Sequence, residues 1–192
     1  MEKEYLDIIN NINGITRQYV ANTFYFEKLN KNLLCVYLFG GAHTSILLYD
    51  DKHSIKEVGE IRYNCSKDRI FISQFECDYD FQRCGLGRFM FNLALAHADS
   101  VGATNLYGYA SPTDAIKGVS GNGVSYKEET MKLLDIYKGL GCKITKKPNG
   151  YDADSMWEFS QQWNSGEKLN SLPLEQKQFL HKMVNMQKSL RK

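Results

Sequence analysis

The sequence predicts an α/β (α+β) fold: a mixed, mostly antiparallel central sheet that carries helices. Three observations lead there. Strand-like runs separated by short breaks fill residues 33–64, as in a meander. A strand-like run then becomes a helix across a pair of glycines, Gly85 and Gly87. A second strand–helix unit follows, and this order of elements places helices on a mixed sheet.

The elements read as follows. Residues 4–29 have mixed polarity, and Tyr5, Ile8, Ile9, Ile12 and Ile15 fit a helical stripe whose end Gly14 weakens. Leu33 to Phe39 is an apolar strand, broken by Gly40 and Gly41. Thr44 to Tyr49 is the next strand, Asp50-Asp51-Lys52 a turn, and Lys56 to Asn64 a third strand. Arg69 to Cys77 alternates apolar residues, as a strand does. Phe89, Leu93, Ala96 and Val101 keep helical spacing over 88–101, and Gly102 supplies a C′ stop. Thr104 to Ala110 is another strand and Glu128 to Gly139 another helix. Between them Ser111 to Ser125 is rich in Gly and Ser, long enough to be either an inserted loop or a flap over a site. Ser165 to Ser171 is linker-like. A helix then starts near Leu172-Pro173-Leu174, with Ser171 as its expected N-cap. Its stripe is Phe179, Leu180, Met183, Val184, Met186 and Leu190, and residues 172–192 carry five cations against Glu175. Packing on its own domain, a homodimer contact, and a basic surface for nucleic acid or lipid all stay open for this helix. The chain thus divides into 1–163, a catalytic-type domain, and 164–192, a linker and basic amphipathic helix.

Composition is that of an ordinary globular chain: 192 residues, 43% hydrophobic, 24% charged, net charge +2. Nothing in that balance demands nucleic acid. Five cysteines, odd in number and without a C-x-x-C pair, argue for reduced thiols and against a zinc site. The charged start Met1-Glu2-Lys3-Glu4 lacks a signal-peptide core, and no apolar run reaches the roughly 20 residues that span a bilayer. The expectation is a cytoplasmic protein with no metal and no membrane partner.

The run Phe81-Gln82-Arg83-Cys84-Gly85-Leu86-Gly87-Arg88 carries the chemistry. Glycines at a strand-to-helix junction turn the backbone tightly. The helix start beyond them offers unpaired N–H donors and a partial positive charge, which together make an anion cradle. Arg83 and Arg88 add charge where a cation opposes the helix dipole, which favours an anionic partner. A P-loop is excluded, because no Gly-x-x-x-x-Gly-Lys-Ser/Thr run exists. A dinucleotide fingerprint is disfavoured by the bulk of Met90, three places after Gly87.

Gln82-x-x-Gly85-x-Gly87 resembles the Gln/Arg-x-x-Gly-x-Gly/Ala signature of the GNAT superfamily of N-acetyltransferases. Ile136-Tyr137-Lys138-Gly139-Leu140-Gly141-Cys142 is similar to that family's second landmark, with Tyr137 on its tyrosine, Gly141 on its glycine and Cys142 replacing its phenylalanine. The resemblance covers roughly residues 55 to 160. It implies a GNAT-like acyl-CoA N-acyltransferase fold, with helices on both faces of the sheet and a further C-terminal helix.

It also implies a function: direct transfer of an acetyl group from acetyl-CoA, as co-substrate, to a primary amine within a ternary complex. The main chain over Cys84, Gly85, Leu86, Gly87 and Arg88, with Gln82 and Arg83, would hold the diphosphate. Phe75 and Cys77 match residues whose backbone bonds the pantetheine arm, and an N–H near Cys77 would face the oxyanion. Thr130 stands where many members carry an asparagine. Tyr137 matches the general acid that reprotonates the thiolate. A free lysine-like amine has a pKa of about 10.4, so a base must take its proton. Glu76, on the strand face opposite Phe75 and Cys77, and Glu60 on the preceding strand are the candidates. The acceptor stays open among a small-molecule amine, a peptide or protein amine, and a tRNA-linked aminoacyl group. Two alternatives also stand: a non-catalytic CoA-binding scaffold for a protein or RNA partner, and a nucleotide-binding protein using the same loop.

Overall fold

A computed structural model describes residues 18–39, 43–50, 56–111, 126–150 and 155–190. Eight strands form one sheet in the order β1-β2-β3-β4-β5-β6-β8-β7. They are β1 (Gln18–Phe26), β2 (Lys31–Phe39), β3 (Thr44–Asp50), β4 (Lys56–Cys65), β5 (Arg69–Cys77), β6 (Asn105–Ala110), β7 (Lys143–Lys146) and β8 (Trp157–Gln162). The helices are α1 (Leu86–Ser100), α2 (Tyr126–Gly139), α3 (Glu167–Ser171) and α4 (Leu174–Leu190). β5 and β6 are the parallel pair, and every other pairing is antiparallel. The mixed, mostly antiparallel sheet expected from the sequence is therefore present.

Three strands, β1, β7 and β8, are additional to those expected from the sequence. β1 was read as part of a segment of mixed polarity, because Asn22 and Thr23 interrupt its apolar pattern. It is a strand because all nine of its residues pair with β2, from Gln18↔Phe39 to Phe26↔Lys31, across a one-turn connection closed by Asn30 at φ 49°. β8 lies between β6 and β7 and bonds both. The helical stripe Tyr5 to Ile15 and the loop 112–125 lie outside the described residues.

One core contains α1, with Phe91, Leu93, Ala94 and Leu95 buried against Ile61, Ile70, Ile72 and Tyr63 of the sheet. A second, smaller cluster of Leu34, Val36, Leu38, Leu47 and Tyr49 occupies the other face. α4 lays Phe179, Leu180 and Met183 into the first core against β1 and α1, with Phe24 and Phe179 edge-to-face at 5.4 Å. Phe179, Leu180 and Met183 of the stripe considered for a homodimer contact are thus covered by the chain's own sheet and helix, while Met186 stays exposed. Its N-cap is also a correction. The carbonyl of Pro173 accepts the first helical bond from Lys177 N at 3.0 Å, while Ser171 Oγ donates back to Lys168 O at 2.8 Å. Upstream, the buried carboxylate of Asp99 accepts from Gly166 N (2.8 Å) and Leu169 N (3.0 Å), so a side chain on α1 caps α3.

Two β-bulges decide which side chains share a face. Leu48 pairs Gly59 but Tyr49 pairs Glu57, so Val58 is the extra residue on β4. Arg62 pairs Gln74 but Tyr63 pairs Ile72, so Ser73 is the extra residue on β5. Past Ser73 the parity reverses. Ile70 and Ile72 face α1 before it, and Phe75 and Cys77 face α1 after it, where a methyl added at Gly87 would meet both.

Candidate active site

β5 pairs with β6 only from Arg69↔Asn105 to Ile72↔Gly108. Beyond that point β5 runs on with β4 as far as Cys77, and β6 runs on with β8 as far as Ala110. The sheet therefore opens into a wedge at the C-terminal ends of its two parallel strands, where α/β folds gather ligands. The main-chain groups along the wedge follow from register. Asp78 N donates to Val58 O at 2.9 Å, which makes 78/58 a hydrogen-bonded pair. Pairs alternate in antiparallel ladders, so 77/59 and 75/61 are non-hydrogen-bonded. Cys77 and Phe75 turn their N–H and C=O away from β4 and into the wedge.

At the head of the wedge the chain passes Tyr79–Phe81 as a single turn, then Arg83 at φ 60° and Gly85 at φ 92°, ψ −2°. Gly85 is the N-cap of α1 and has no side chain to bond the first-turn donors. Phe89 N already reaches Gly85 O at 3.0 Å, so the N–H groups of Leu86, Gly87 and Arg88 are those a helix start leaves without an internal partner. A Cβ at Gly85 would meet nothing within 4 Å, whereas one at Gly87 would come within 3.2 Å of Phe75 Cζ. Glycine at 85 serves backbone sign, and glycine at 87 lets the helix lie close on β5. An uncapped helix start facing open space fits a diphosphate. Leu86 is itself buried and offers its main chain only. Gln82 Nε2 makes a long contact of 3.5 Å to Cys77 O, and Cys84 Sγ donates to Gln82 O at 3.4 Å. Arg83 is exposed. Arg88 Nη2 donates to Gly139 O at 3.2 Å, which joins the start of α1 to the end of α2.

Tyr137 sits across the wedge. It is 5% exposed, stacks on Phe159 with centroids 3.9 Å apart and rings 21° from parallel, and lies 6.3 Å from Phe75. Gly141, at φ 91°, ends the α2 segment behind it. Thr130 is fully buried two turns earlier on the same helix. Burial, with Asp78 nearby, pushes the Cys77 thiol up to about 11, and burial raises Cys142 to about 12, which disfavours the thiolate at both.

The two candidate bases face each other as the pair Glu60↔Glu76. They differ in surroundings. Glu60 is 4% exposed and its Oε1 accepts from Arg62 Nε at 2.5 Å, whereas Glu76 is exposed. Glu60 is thus a buried ion-pair partner. A third carboxylate, Glu57, joins this face because of the bulge at Val58. Simple alternation would have put it opposite Glu60, so no sequence signal could have found it. Partial burial first, then repulsion from Glu60, pushes its carboxyl above the usual range. Tyr49 beside it is raised by burial and by Glu57 and Glu60. On the other side, Lys56 Nζ lies 2.8 Å from Asp78 and holds that carboxyl below its usual range. Among the described residues no group of His, Cys, Asp and Glu could hold a metal ion, and no helix is long and apolar enough to cross a membrane.

No protein-family model matches the chain, and no curated protein matches it. Solved structures similar to it include nourseothricin acetyltransferase, at 14% identity over 77% of this chain and 86% of that one, TM-score 0.46. The ribosomal-protein-S18-alanine N-acetyltransferase of Escherichia coli is similar at 15% identity, over 65% and 71% of the two chains, TM-score 0.45. A GNAT-family acetyltransferase from Elizabethkingia anophelis with acetyl-CoA bound shares 14% identity over 64% and 77%, TM-score 0.45. At such distances the likeness leaves the weight on the chain's own geometry. That geometry is a strand meander followed by a parallel β5–α1–β6 unit, with the wedge and the glycine turn between its strands.

Proposed function

We propose that the chain is an N-acetyltransferase that moves an acetyl group from acetyl-CoA directly to a primary amine. The observation that carries this reading is the wedge: β5 leaves β6 after Ile72, directly beside an uncapped helix start. The diphosphate would take the N–H groups of Leu86 to Arg88, and the pantetheine arm would add to β5 as a strand does, through Phe75 and Cys77.

In the chemistry, a proton leaves the ammonium first, through water to Glu76, the exposed member of the carboxylate pair. The neutral nitrogen attacks the thioester carbonyl carbon, and the Cys77 N–H stabilises the oxyanion. Collapse breaks the C–S bond, the Tyr137 hydroxyl gives its proton to the departing thiolate, and the proton shed by the new amide nitrogen returns through water to the Tyr137 oxygen. Glu60, buried and paired with Arg62, is the second candidate for the ammonium proton. The acceptor is a small-molecule or peptide amine, and the carboxylates Glu57, Glu60 and Glu76 support one that arrives as a cation.

Thiol release from acetyl-CoA over a panel of amines tests this. Tyr137→Phe keeps the ring stacked on Phe159, so folding and CoA binding stay near wild type while turnover falls about 10²-fold or more. Wild-type turnover by that variant removes Tyr137 as the acid. Tight CoA binding with no thiol released for any amine favours the scaffold reading.

A further inference from the structure

A cavity of about 540 Å³ opens between α2 and β7. It falls within the roughly 300–1,000 Å³ of small-molecule sites. Its floor is apolar: Leu134, Cys142 and Trp157 are all buried, with Met131 and Ile144 as walls. Its other described lining residues are lysines, Lys138, Lys143 and Lys147, and among the described residues no carboxylate lines it. Glu158 pairs with Lys146 at 3.3 Å and Asp135 with Lys138 at 2.9 Å. Among the described residues Lys143 and Lys147 have no carboxylate partner. Lys143 and Lys147 beside an apolar hollow repel one another, and a single anionic head would relieve that repulsion while its apolar body left water.

We infer that this cavity is a second binding site, separate from the wedge, for an anionic amphiphile: an apolar chain or ring bearing one carboxylate or equivalent head. Lys143 and Lys147 meet the head, and Leu134, Ile144 and Trp157 take the body. The cavity lining shares no residue with the groups assigned to the wedge, Phe75, Cys77, the 84–88 turn and Tyr137, so CoA and the amphiphile bind together. The site does not depend on the acetyl-transfer reading.

Calorimetric titration of the full chain with dodecanoate, below its micelle concentration, tests it, with dodecyltrimethylammonium as the probe of equal chain and opposite charge. The expected result is one dodecanoate per chain, unchanged by saturating CoA, and no binding of the cationic probe. The double variant Lys143→Gln/Lys147→Gln should bind about 10-fold more weakly. Ile144→Trp, which fills the hollow and keeps every lysine, should abolish binding, with a melting scan confirming that each variant is folded. Absence of dodecanoate binding, equal binding of both probes, displacement by CoA, or unchanged affinity in the folded variants would each overturn the inference.

Discussion

The turn that opens the wedge rests on one residue's backbone sign, and replacing Gly85 tests it. Gly85 has φ 92° and ψ −2°, and a Cβ there would have no neighbour within 4 Å. Gly85→Ala therefore adds no clash, and its whole cost is the left-handed backbone, about 1–2 kcal/mol for a residue with a Cβ. For a chain of 192 residues each kcal/mol lowers the melting temperature by about 2–4 °C, so the expected loss is about 2–8 °C. Gly85→Asn should cost less, because asparagine tolerates that region, and Gly85→Val more, because a β-branched residue does not. Scanning calorimetry of the series, with and without CoA, gives the order. Where the variant keeps the left-handed turn, the first-turn N–H donors stay aimed and CoA at 100 times its dissociation constant still stabilises by about 2.7 kcal/mol. Alanine as stable as glycine, or valine no worse than asparagine, would refute the assignment of this turn to backbone sign.

Other outcomes follow from the same structure. Asp99→Ala removes the external cap of α3 and leaves two N–H groups unmet, so stability falls by about 1–2 kcal/mol and the amides of Gly166 and Leu169 lose hydrogen-exchange protection. Glu57 has a raised carboxyl pKa, so the folded state holds that proton more tightly than the unfolded chain. Its penalty is absent below the unfolded value and grows as pH rises through the raised one. Glu57→Gln should accordingly raise the melting temperature at pH 7 and leave it unchanged near pH 3; the opposite order would contradict the carboxylate cluster. Asp78 behaves inversely, since Lys56 lowers its pKa. Asp78→Asn should destabilise at pH 7, with the difference vanishing as acid protonates Asp78 in the wild type.

The sequence by itself determined the elements whose reasons are local. Gly85 and Gly87 between an alternating strand and a 3.6-periodic helix announced the tight strand-to-helix turn, and β5, α1, β6 and α2 fall within two residues of their expected bounds. Tyr137 came from the resemblance of residues 136–142, and the fold buries it against Phe159. Tertiary structure decided what pairing and burial decide. β1 became a strand because β2 offered it a full ladder, although Asn22 and Thr23 blur its own pattern. The splay that makes a site between β5 and β6 is a property of two strands and cannot be written in either. The bulges at Val58 and Ser73 reset which face each later residue occupies, and so gathered Glu57 with Glu60 and turned Phe75 and Cys77 toward α1. Local chemistry sets the turn, and only the partner across the ladder sets the register, because a one-residue slip moves every side chain to the other face.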